Sequence, residues 1–245
     1  MRELALAVAV LTLAACKEVP PPQPVKAVAA PPSEYAQGID LARDARDYAQ
    51  ELKGSRLDFV ARYYRDPASR WPTLTAAEAA MLSAAGKRVV AVWEWHSHRA
   101  DYFTYQTGYN DALNAYRQAK GIGQPPGSAI YFAVDFNATG NDIQGSIDPY
   151  FRGVRVGLQA AAGQAPPDYR VGVYGSGAVC AHLKRVGLAE YAWLSNSNAW
   201  AGYDDFTDWN IKQSGGSPGF SFDHDINEAW GDYGGFQVLI EISSL

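Results

Sequence analysis

Asp40, Glu94, Asp135 and Asp225 stand far apart in the chain, yet each lies within or at the end of a short apolar run. The runs are GIDL (38–41), RVVAVWEW (88–95), SAIYFAVDF (128–136) and SFDHDIN (221–227). Amides and a hydroxyl accompany them at similar positions: Asn137, Ser195, Asn196, Gln213 and Asn227. So do aromatic residues, among them Tyr63, Trp95, Tyr131, Tyr174 and Trp193. Carboxylates and amides bind hydroxyl groups, and flat apolar rings pack on the C–H face of a saccharide, so this mixture suits a sugar ligand. Asp223, Asp225 and Asn227 alternate on the last run, which puts all three on one strand face.

The elements that must carry these groups alternate in type. LDFVARYY (57–64) reads as a strand, and TAAEAAMLSAAG (75–86) as a helix opened by a capping box of Thr75 and Glu78. Tyr105, Tyr109, Ala112, Tyr116 and Ala119 recur at helical spacing, as do Phe151, Val154, Leu158 and Ala161. YRVGVYGS (169–176), EYAWLSN (190–196) and DWNIKQ (208–213) are further strands. This pattern predicts an α/β chain folded as a (β/α)8 TIM-type barrel, irregular in its second half where helices thin out. A doubly wound open sheet is the alternative, but GIDLARDAR at the first strand lacks the glycine-rich phosphate turn.

In a barrel, chemistry sits at the C-terminal strand ends. On the fourth strand, Ile130, Phe132, Val134 and Phe136 form an oily face that should meet the helices. Tyr131, Ala133, Asp135 and Asn137 share the other face, so Asp135 and Asn137 should point into the barrel mouth. Trp193 is the tryptophan expected to serve the site, as a rim aromatic.

Other groups point elsewhere. His96 and His98 have a spacing that can hold a metal, with Asp135 or Asp225 to complete it. Solvent-facing imidazoles are the simpler reading, and neither a metal nor another cofactor is expected. Ser176 lies in GVYGSG, whose spacing fails the nucleophile elbow and fits a tight turn into a helix. Cys180 sits in a helical stretch and reads as a small core residue. A net charge of −5 without a basic cluster argues against nucleic acid as a partner.

The N-terminus reads as a secretion signal over residues 1–15, ending in LAAC (13–16). That string resembles the lipobox of bacterial lipoproteins, in which the cysteine is lipidated; the resemblance makes Cys16 the anchor and the lipid the only membrane contact. An ordinary signal peptide with an incidental cysteine is the alternative. Residues 16–35 are proline-rich and read as a tether, with residues 36–245 as the barrel domain.

GIDL, YFAVDFN, GVYGSG, WLSN and FDHDIN, in this order, resemble the bacterial glycoside-hydrolase-like family known as domain of unknown function 1906. That family is similar in fold to the family 25 glycoside hydrolases, the lysozyme-type muramidases. The resemblance implies an extracytoplasmic barrel whose partner is peptidoglycan or a related glycan. It matches Asp40, Asp135 and Asp225 to acidic residues lining the muramidase site. Asn137 stands where those enzymes carry the general acid, and an amide cannot donate a proton to a leaving oxygen at a useful rate. Glu94 is the candidate replacement, flanked by Trp93 and Trp95; pairing with Arg99 or another cation is its simpler role. The expected site is therefore Asp135 and Glu94 for catalysis, with Asp40, Asn137, Tyr131, Trp193, Gln213 and Asp225 binding substrate. The expected activity is glycosidic hydrolysis of cell-wall amino sugars. The alternative is a lipoprotein that binds the glycan without cutting it.

Overall fold

A computed structural model describes residues 35–216 and 219–238; the expected secretion signal, the expected lipidation site Cys16 and nearly all of the expected tether lie outside the described residues. Eight strands close into a barrel in chain order: β1 (Tyr35–Asp40), β2 (Phe59–Tyr64), β3 (Arg88–Trp93), β4 (Ala129–Ala133), β5 (Arg170–Gly175), β6 (Tyr191–Leu194), β7 (Ile211–Ser214) and β8 (Asp225–Trp230). Helices α1 (Ala49–Gly54), α2 (Ala76–Ala84), α3 (Tyr105–Ile122), α4 (Gly140–Asp142), α5 (Asp148–Ala162) and α6 (Gly177–Arg185) connect the first six strands. No helix joins β6 to β7 or, among the described residues, β7 to β8, as the thinning of helical patterns predicts.

One strand departs from the parallel barrel expected. β8 runs antiparallel to both β7 and β1, with Asp225 opposite Asp40 and Asn227 opposite Gly38. The strand also starts later than SFDHDIN suggests, so Asp223 precedes it and is exposed. Without a helical crossover after β7, a short return can only bring the chain back in the opposite direction. The reversal places Asp225, the first residue of its strand, at the end of the barrel where β1 to β6 finish.

Two apolar layers follow from strand alternation. Outside, Ile39, Val60, Ile130, Phe132, Val173 and Leu194 pack beneath the helices. Inside, Phe59, Val90, Val92, Tyr131, Tyr191, Trp193 and Ile211 fill the barrel. Bulky interior rings need bare backbone opposite them. A Cβ on Gly38 would lie 2.4 Å from the Phe59 ring, and one on Gly172 2.5 Å from Tyr131. The lower end is closed by residues 233–236: Phe236 exchanges both backbone hydrogen bonds with Val89, and Gly234 O accepts from Ala129 N–H.

Inside the outer layer lies an ion pair that the sequence reading did not foresee. Arg62 and Glu78 are fully buried and paired; Arg62 also donates to Leu41 O, and Glu78 accepts from Ala45 N–H. Thr75 caps α2 by accepting from Glu78 N–H, but the Glu78 carboxylate has left the capping box for Arg62. The pair ties β2 and α2 to the chain after β1. Removing one partner strands the other charge away from water. Glu78→Ala should therefore lower stability by about 3–5 kcal/mol, read as the shift in urea denaturation, with Glu78→Gln costing less.

Candidate functional site

A cavity of about 240 Å³ opens at the upper end of the barrel. Asp40, Glu94, Asp135 and Asp225 all line it, joined by Tyr63, Tyr174, Trp193, Asn196 and Gln213. Each comes from its strand or from the two residues just past it. Asp40 ends β1, Glu94 follows β3, Asp135 follows β4 by two residues, and Asp225 opens β8.

Asp40 is the hub. One carboxylate oxygen accepts from Tyr63 OH at 2.9 Å. The other accepts from Gln213 Nε2 at 2.9 Å and Asn227 Nδ2 at 2.8 Å. Gln213 also donates to Asp225 at 3.3 Å and accepts from Tyr174 OH at 2.9 Å. Asn227 in turn accepts from the Trp193 indole N–H at 2.9 Å. The network orients Gln213 and Asn227 completely, since each amide has its oxygen and nitrogen engaged by partners that permit no flip. Burial pushes the Asp40 carboxyl up to about 6, against the hydrogen bonds from Asn227 and Gln213 that favour its charge.

Across the cavity the second pair of carboxyls differs. Glu94 is raised by burial, opposed by Arg65, whose guanidinium lies 3.1 Å away. Arg65 itself is held over the Tyr63 ring at 4.3 Å. Asp135 also raises the Glu94 value, so the two carboxyls sense each other's charge. Asp135 is raised by burial too, with His98 the opposing influence, and its carboxylate has no hydrogen-bond or ion-pair partner among the described residues. Its backbone is fixed by a 2.8 Å bond from Asp135 N–H to Ser97 O.

Three expected site residues lie elsewhere or act differently. Tyr131 is fully buried below the cavity floor, where its hydroxyl donates to Tyr233 O. Asn137 is exposed and does not line the cavity; its amide oxygen accepts from Ala201 N–H at 3.0 Å and ties down the loop after β6. The strand ends at Ala133, so alternation no longer governs where Asn137 points. Trp193 forms floor rather than rim: it is 1% exposed, and its N–H is taken by Asn227. Among the partners of Glu94, Arg65 replaces Arg99, which pairs with Asp101. Arg65 was not anticipated; its only signal is a cation directly after the aromatic end of β2. His96 and His98 are exposed, and among the described residues no three His, Cys, Asp or Glu side chains gather as metal ligands.

A family model described as the Rv2525c-like, glycoside hydrolase-like domain matches residues 50–239. The chain belongs to that family. YbfG of Bacillus subtilis (strain 168), an uncharacterised protein, is 30% identical over 160 residues, which is 60% of this chain and 22% of YbfG. The chain thus spans less than a quarter of that relative. The Tat-secreted protein Rv2525c of Mycobacterium tuberculosis, in complex with HEPES, superposes with a TM-score of 0.66 at 19% identity, over 82% of this chain and 98% of that one. The modular autolysin LytC of Streptococcus pneumoniae, in complex with a synthetic peptidoglycan ligand, gives 0.53 at 14% identity, over 80% of this chain and 47% of LytC. Both structural likenesses concern the barrel fold of this glycoside hydrolase-like domain.

The raised Asp40 carboxyl has a thermodynamic consequence. A folded-state value of about 6 exceeds the ordinary 3.8, so the ionised carboxyl opposes folding above pH 6 and protonation relieves this as pH falls through 6 toward 4. Asp40→Asn should therefore gain stability relative to wild type as pH rises. The difference between the two proteins in denaturation free energy should change by about 2 kcal/mol between pH 4.5 and pH 7. A pH-independent difference would place the Asp40 charge in a far more solvated setting.

Proposed function

We propose that this domain recognises cell-wall glycan outside the cytoplasm and cleaves its glycosidic bonds. The observation that carries the reading is the convergence of Asp40, Glu94, Asp135 and Asp225 on one cavity. A cavity of about 240 Å³ lies below the range of roughly 300–1,000 Å³ common for small-molecule pockets, which suits one sugar ring rather than a chain of them. Family membership, the autolysin fold of the peptidoglycan-bound LytC and the secretion of Rv2525c support the substrate class and the compartment. A lipid on Cys16 and the proline-rich segment as tether would hold the domain near its polymer.

Glycoside cleavage needs one carboxyl that holds a proton beside another that is charged. Arg65 discriminates between the two candidates. Protonating Glu94 gives up the Arg65 ion pair, whereas protonating Asp135 breaks no contact among the described residues. Asp135 is accordingly the proton donor to the leaving oxygen. Glu94, held as carboxylate by Arg65, stabilises the positive charge that develops at the anomeric carbon. The acid role that the sequence suggested for Glu94 thus passes to Asp135. Asp40, Gln213 and Asp225 bind and orient hydroxyl groups.

A second reading rests on Asn137. The residue at the muramidase acid position is an exposed amide engaged with Ala201, which favours a domain that binds glycan without cutting it. Incubating the domain with purified peptidoglycan and measuring new reducing ends separates the two. Hydrolysis should appear and should decline as pH rises past the raised value of Asp135. Asp135→Asn should lower kcat by about 100- to 10,000-fold, the scale of a general acid. Co-sedimentation with peptidoglycan without new reducing ends would establish the binder.

A further inference from the structure

A second cavity, of about 390 Å³, lies beside the central one and has no role in the chemistry described above. It is bounded by Asp66, Trp95, Tyr102, Asp111, Asn114 and Arg117. Its walls continue the same two strand ends that build the central site. Tyr63 lines the central cavity and Asp66 the second; Glu94 lines the central cavity and its neighbour Trp95 the second. Arg65, paired with Glu94, directly precedes Asp66, so the ion pair stands where the two sets of lining residues meet in the chain.

The chemistry of this second cavity is that of a saccharide site. Trp95 is partly exposed, with its indole held against the His96 ring at 4.2 Å. His96 adopts a left-handed backbone, φ 47°, which turns the chain sharply after Trp95. Among the described residues, the side chains of Asn114 and Arg117 make no hydrogen bond or ion pair, so their donors remain available on the cavity wall. The wall also contains Asp111, which is 4% exposed. One of its oxygens accepts from both Tyr102 OH and Tyr150 OH, at 2.7 Å each. The buried Trp93 indole N–H is directed at this cluster, where it favours the charged form of Asp111 although it falls short of full hydrogen-bond geometry.

We propose that this cavity is a second saccharide subsite, which binds a further ring of the same glycan strand as it passes the Arg65–Glu94 ion pair. The ring's C–H face packs on Trp95, and its hydroxyls meet Asp66, Asn114 and Arg117. The proposal rests on the glycan reading of the central cavity and adds where the neighbouring sugars lie. It also resolves a mismatch of size, because a polymer requires more room than the central cavity offers.

Calorimetric titration with a disaccharide and a tetrasaccharide of the alternating cell-wall N-acetyl amino sugars tests it, using Asp135→Asn to prevent turnover. The tetrasaccharide should bind at least about tenfold more tightly than the disaccharide, about 1.4 kcal/mol. Trp95→Ala and Asn114→Ala, each made in that background, should remove this gain and leave disaccharide binding unchanged. Asn114 is partly exposed, so its variant reports even where loss of the larger Trp95 ring perturbs folding. Equal affinity for the two lengths, or an undiminished gain in both variants, would overturn the subsite while leaving the central site intact. Failure of either oligosaccharide or whole peptidoglycan to bind would overturn the glycan reading and this inference with it.

Discussion

A carboxylate taken out of water at the top of the barrel organises the site. Asp40 is 4% exposed, and such a charge is tolerated only where donors surround it. Tyr63 from β2, Gln213 from β7 and Asn227 from β8 supply them. Three strands are therefore held to β1 by one side chain, at the place where the barrel closes with an antiparallel pair. The same bonds fix the amide orientations of Gln213 and Asn227, and through them Tyr174, Asp225 and Trp193. The cavity wall is rigid because its polar groups answer one another, and the charge that demands this also opposes folding at neutral pH.

The opposite wall follows another logic. Glu94 is paired with a cation, whereas Asp135 has no partner among the described residues, so two carboxyls that burial raises sit in different electrostatic settings. Separated roles for paired carboxyls are what glycosidic chemistry asks for. Arg65, from the loop after β2, makes that difference, while Asn137 lies outside the cavity. Asn137 has instead taken a structural task, tying the β4 loop to the segment after β6.

The interior below the site is as constrained as the site. Phe59, Tyr131 and Tyr191 fit inside the barrel because Gly38 and Gly172 leave room, and Tyr233 with Phe236 closes the end beneath them. Outside, Gly108, Gly153 and Gly157 let α3 and α5 approach until backbone meets backbone: a Cβ on Gly153 would lie 2.0 Å from Tyr105 O. α3 carries Asp111, Asn114 and Arg117 toward the second cavity, so this close packing also sets where that cavity's wall stands.

Much was legible in the chain itself. Period-two alternation announced the inward face of β4, helical spacing announced α3 and α5, and the order of strand and helix announced a barrel. Asp40, Glu94 and Asp135 could be placed at one mouth because parallel strands gather their ends there; Asp225 was expected with them but reaches the mouth as the first residue of a reversed strand. Local pattern loses its authority where regular structure stops. Asn137 lies beyond the last residue of β4, so alternation could not say that it turns outward. Tyr131 and Trp193 do face inward, but depth along the barrel axis depends on strand tilt and stagger, which no single strand encodes. The reversal of β8 and the pairing of Arg65 with Glu94 and of Arg62 with Glu78 are likewise tertiary. Each joins residues from different elements, and only the closed barrel brings them within reach.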